Sequence, residues 1–168
     1  MNDVEDLLYD EPPIPEAPTN LKEPIFEHIR NRLPEPLSVV KPLLLSYPAD
    51  PELLILAALA ALLEGRPDQS LTYQKRLKRR YVPTHALHLL HALALAQKRL
   101  WPQAARIMDQ YFFSDFGISR WPYYLPCGDV LRPWVRRWLK AIETENERLL
   151  APREIGRASC RERVSTIV

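Results

Sequence analysis

Apolar residues along this chain recur at helical spacing in seven blocks, and proline or glycine separates most of them. Ile25, Phe26, Ile29 and Leu33 mark a helix over 22–32, with Pro24 in its first turn. Leu37, Val40, Leu43 and Leu44 line one face of a second helix over 35–47, which Pro42 should kink. Residues 52–64 are almost wholly apolar, so this helix must be buried on several sides, with Asp50 placed to cap it and Gly65 to end it. Helix 67–81 turns Leu71, Leu77 and Tyr81 inward, and helices 84–98 and 101–112 follow. Residues 113–130 contain Gly117, Pro122, Pro126 and Gly128 and predict irregular structure. A last helix, 131–150, gathers Leu131, Val135, Trp138, Leu139 and Ile142 on one face.

The blocks between Asp50 and Tyr111 repeat. A shift of 34 positions lays Ile55 on Leu89, Leu56 on Leu90, Ala58 on Ala92, Leu59 on Leu93 and Ser70 on Ala104. Fixed-period similarity of this length points to stacked helical hairpins, none of which can bury its apolar face alone. With small Ala58, Gly65 and small Ser70 in the first unit, and Ala92, Arg99 and Ala104 in the second, the stretch resembles the tetratricopeptide repeat family. It departs from that family at two aromatic positions, which hold Leu54 and His88, and Ala61 and Leu95. The resemblance implies an all-α fold of stacked antiparallel hairpins closed by a capping helix at 131–150. Helices 22–32 and 35–47 would form a degenerate first repeat, with Pro36 at its small-residue place. The resemblance also implies a groove lined by the first helix of each hairpin, through Glu52, Ile55, Leu59, Leu62 and Leu63, then Ala86, Leu89, Leu93, Ala96 and Gln97. That surface is apolar and has to be covered, either by another segment of the chain or by a partner's peptide. It carries no Lys or Arg, which argues against capture of a peptide's C-terminal carboxylate.

Composition changes this picture little. The 168 residues suit one domain, 46% of them are hydrophobic, and a net charge of +2 makes no case for nucleic acid. No apolar run reaches the ~18 residues of a membrane span. The acidic start lacks a signal-peptide pattern, and the expected location is the cytoplasm. The prolines cluster early: residues 1–20 read as an acidic, proline-rich arm without fixed structure, ahead of a helical domain over 21–150. Residues 151–168 read as a disordered tail. Within it the run Glu154 to Val164, EIGRASCRERV, resembles a translated sequencing adapter, so the natural chain is expected to differ there.

Candidate chemistry is sparse. His85, His88 and His91 share a helix, but no carboxylate or cysteine stands near to complete a metal site, so they read as packed histidines. Lys75, Arg76, Lys78, Arg79 and Arg80 form a basic run that could attract phosphates or an acidic surface, including the acidic arm folded back. As a solvated helix face it needs no ligand. Nine of the 15 aromatics fall between Tyr111 and Trp138, as core or as interface, with Arg132, Arg136 and Arg137 beside them. Of the two cysteines, Cys160 falls in the adapter-like run and Cys127 stands without a signature, and no phosphate loop, GxSxG, HExxH or CxxC is present. The expected function is a non-catalytic scaffold, adaptor or chaperone without cofactor or metal, binding a protein or peptide. Bacterial secretion chaperones and assembly adaptors share this size and build. The alternatives are the N-terminal helical domain of a longer protein or enzyme and, with least support, a nucleic-acid binder using the basic helix faces.

Overall fold

The computed structural model describes residues 14–112 and 125–150, and these contain seven α-helices and no strand. They are α1 (Thr19–Arg30), α2 (Pro36–Ser46), α3 (Pro51–Leu63), α4 (Pro67–Lys78), α5 (His85–Gln97), α6 (Trp101–Phe112) and α7 (Gly128–Leu150). Residues 1–13, most of the expected irregular stretch and the tail from 151 lie outside the described residues.

Local chemistry sets the helix ends. Asp50 and Thr84, 34 positions apart, each accept the backbone N–H three residues on, from Leu53 and Leu87. Pro36, Pro51 and Pro67 open their helices, where a missing N–H costs nothing. The first helix of each hairpin ends the same way. Arg32, Gly65 and Arg99 have φ of 52°, 70° and 61°. At each of these ends two paired backbone bonds close the turn: Gly65 N–H to Leu62 O and Arg66 N–H to Ala61 O, Arg99 to Ala96 and Leu100 to Leu95, Arg32 to Ile29 and Leu33 to His28. The third member of this set makes α1–α2 a hairpin of the same kind as the other two.

Consecutive helices pack as antiparallel pairs, and the first helices α1, α3 and α5, followed by α7, lie side by side. Ala58 and Ala92 are both fully buried, as are Ser70 and Ala104, so small residues sit where helices meet most closely. From Leu53 to Leu62 only Ile55 keeps any notable exposure, which explains why α3 shows no polar face. The seventh helix packs on α5 and α6. Its first turn reaches back to the opposite end of the stack, where Cys127 Sγ lies 3.7 Å from Phe26 O and Arg32 donates to Val130 O at 3.4 Å.

Two helices start earlier than their patterns predict. With α1 beginning at Thr19, Pro24 falls in the second turn rather than the first. With α7 beginning at Gly128, Pro133 lies inside it. The helical domain also extends into the expected arm: Ala17 is buried, and its N–H donates to Asp50 at 2.7 Å. Asp50, none of it exposed, meets the buried Lys22 ammonium at 3.0 Å, and Lys22 reaches Glu52 at 3.5 Å. Burial alone would raise the Asp50 pKa, but hydrogen bonds from Leu53, Ala17 and Lys22 outweigh it and hold the carboxyl below its ordinary value. Burial likewise disfavours charged Lys22, and Asp50 with Glu52 outweighs that to raise its pKa.

Hairpins are joined at one recurrent place. Glu64, just past α3, accepts the Leu37 N–H at the start of α2 (3.1 Å). Lys98, 34 residues later and just past α5, pairs with Asp68 at the start of α4 (2.7 Å). Glu64 meets the electropositive N-terminal turn of α2 directly, whereas at α4 the carboxylate in that turn is Asp68 and Lys98 is its counter-ion.

Candidate functional site

The residues expected to line a groove are mostly inside the molecule. Leu59, Leu62, Leu89 and Leu93 are at most 1% exposed. The helices packed around α3 and α5 cover them. Of the two coverings open to that apolar surface, the chain itself supplies one, so these four leucines offer nothing to a partner. Gln97 is half-buried and serves the fold: its Nε2 donates to Leu62 O at 2.8 Å, a second bond to the carbonyl that already accepts the Gly65 N–H. Ile55 and Leu63, at opposite ends of α3, remain partly open, and each borders a concavity.

The larger concavity, about 570 Å³, lies between the α1–α2 turn, the end of α3 and the first half of α7. Ile29, Leu33, Leu63, Leu131 and Trp134 give it an apolar lining, and Arg32, Arg66 and Arg137 bring three guanidiniums to it. Its carboxylates are Glu35 and Glu64, and Glu64 already accepts the Leu37 N–H. Arg32 spends one donor on Val130 O. Arginine carries five N–H donors, so the three retain ample capacity for a carboxylate or phosphate. The combination suits an apolar side chain with an acidic neighbour. Of the arginines noted in the aromatic-rich region, only Arg137 reaches this cleft; Arg132 pairs with Asp129 at 3.8 Å. Periodicity could not have found the cleft, because it unites residues about a hundred positions apart through the return of α7 to α1. The one sequence signal was the arginine content of α7.

The smaller concavity, about 250 Å³, is an apolar notch formed by Ile55, Leu77, Tyr81, Val82 and Leu87. Beside it ends the basic run. Arg76 is bound into the fold, donating to Pro48 O at 2.9 Å and lying 5.8 Å from the Tyr73 ring centre. Lys75, Lys78, Arg79 and Arg80 are exposed. Part of this run answers the partial negative charge at the α4 C-terminus.

The histidines pack. His88 stacks on Tyr111 with ring centres 3.4 Å apart, and His85 meets Phe112 edge-on at 5.8 Å. Burial, and then the nearby charges of Lys78 and His88, lower the His91 pKa to about 4. Burial first, then His85 and Lys78, lowers that of His88 as well. Among the described residues no cluster of His, Cys, Asp and Glu could hold a metal. Burial pushes the Cys127 thiol up, away from a reactive thiolate. Of the nine clustered aromatics, Phe112 is buried, Tyr111, Trp134 and Trp138 pack partly buried against the core, and the other five lie outside the described residues. No helix among the described residues is long and apolar enough to cross a membrane. Comparison with protein-family models, with curated proteins and with solved structures finds no match for this chain.

Proposed function

We propose that this protein is a non-catalytic adaptor of the tetratricopeptide type that holds a segment of a partner protein in the cleft between α1–α2, α3 and α7. The hairpin repeat supports the type, through its matched caps and left-handed turns at 34-residue spacing. The observation that carries the binding role is the meeting of Leu63, Leu131 and Trp134 with Arg32, Arg66 and Arg137 around one cavity of about 570 Å³. Apolar anchors flanked by arginines are the usual composition of an energetic centre in a protein interface. The segment held is a short acidic stretch with one large apolar side chain.

Selection from a displayed random-peptide library tests this. The expected outcome is enrichment of Asp/Glu-rich peptides with an aromatic or leucine anchor. Trp134→Ala and the Arg66→Glu, Arg137→Glu pair should each weaken the selected peptides at least ~10-fold. Peptides of no common character, or binding indifferent to these substitutions with the fold retained by circular dichroism, would refute the cleft.

A further inference from the structure

We propose that the notch at the other end of α3, with the basic end of α4 beside it, is a second docking surface whose occupant is this chain's own residues 1–13. The described chain enters at that place. Ala17 is tied to Asp50, the Tyr81 hydroxyl donates to Ala49 O at 2.8 Å, and both Glu16 and Arg80 act on that hydroxyl through their charge. Tyr81 is itself a wall of the notch. Residues before Ile14 therefore start near the notch wall at Tyr81, within reach of exposed Arg80.

The sequence of the segment matches what it would meet. Residues 1–13 carry Asp3, Glu5, Asp6, Asp10 and Glu11, with no Lys or Arg, around a central Leu7, Leu8 and Tyr9. The surface offers an apolar hollow in which Val82 is 85% exposed, with exposed Lys78 and Arg80 on either side of the Leu77 face of α4. Tyr9 stands five residues before Ile14, and an extended chain of that length reaches ~17 Å, enough to seat it in a notch at the point of entry. Tethering raises the local concentration to about the millimolar range, so contacts too weak to hold a free peptide suffice for the attached one. Leu7, Leu8 and Tyr9 fill the hollow and the flanking carboxylates face the α4 cations. This surface is separate from the α7 cleft, and the two assignments stand or fall independently.

The test is a photocrosslink in the full chain with Tyr9→p-benzoylphenylalanine. At low salt the expected product is an internal crosslink from position 9 to residues 77–87, migrating as monomer. Its yield should fall at least about fivefold at 0.5 M salt, where the Debye length shrinks to a few ångströms. It should fall equally in a K75E/K78E/R79E/R80E background and with Leu7→Ser, Leu8→Ser. The last pair lies outside the described residues and leaves the α4 sequence unchanged, so it keeps the test valid if charge reversal disturbs α4. A yield indifferent to salt and to both variant sets would overturn the proposal, because proximity alone would then explain it. A crosslinked dimer as the main product would overturn it too, since the occupant would be a second copy.

Discussion

Asp50 accepts from Leu53 N–H at 3.1 Å and Ala17 N–H at 2.7 Å, and it faces the Lys22 ammonium at 3.0 Å with none of its surface exposed. Removing its charge leaves a buried ammonium poorly compensated. Asp50→Asn should therefore cost about 3–5 kcal/mol in urea unfolding. Lys22→Met should cost less, about 1–3 kcal/mol, since the buried Asp50 carboxylate loses its counter-ion but keeps two backbone donors. Because the folded Asp50 pKa lies below its ordinary 3.8, its contribution is complete above that value and is lost as pH falls below it. His91 acts higher on the scale. Its folded pKa of about 4 is below the unfolded 6.5, so the folded state binds fewer protons between those values. Stability should then be greatest above pH ~6.5 and drop by about 1–3 kcal/mol as pH falls to ~4. Urea midpoints across that range check this, and His91→Leu should remove most of the slope.

At the level of the helix and its ends, the three left-handed turns are filled unequally. Gly65 takes φ of 70° without strain, whereas Arg32 and Arg99 hold similar angles with a Cβ present. Gly65→Ala should cost ~1 kcal/mol, and purely through the backbone, because an added Cβ meets nothing within 4 Å. Arg99→Gly should gain about 0.5–1 kcal/mol. Thermal unfolding of the two variants gives both signs in one experiment. These ends also show what was legible in the chain. Helical periodicity, with Asp50, Gly65 and the opening prolines, fixed the element order and most boundaries to within a few residues. Arg99 was readable only as the partner of Gly65 under the 34-residue shift, and Arg32 not at all, because nothing in its own type asks for positive φ. Groove positions carried over from a repeat pattern lie inside the molecule at Leu59, Leu62, Leu89 and Leu93. A pattern gives the face of a helix but not what the rest of the chain lays on it.

For the molecule as a whole, α7 packs on α5 and α6 and touches α1, so it links the last hairpin to the first. Val135, fully buried in α7, should be intolerant of charge. Val135→Asp is expected to release α7 from the hairpins. The measurable result is dye binding to newly exposed apolar surface and proteolytic cutting after α6, with most of the far-ultraviolet helical signal kept. Complete loss of that signal would instead make α7 a condition for the hairpins to fold. The junctions at Glu64 and Lys98 bear on how the stack finds its order. They occupy one repeat position with opposite charge, and each suits only its own neighbour. A lysine at 64 would point at the electropositive opening turn of α2, and a glutamate at 98 would confront Asp68. Hairpins built on one repeat thus carry different seams: a chain that assembled one unit out of step would set Lys98 against the electropositive opening turn of α2, a mismatch that disfavours that register by up to about 1 kcal/mol.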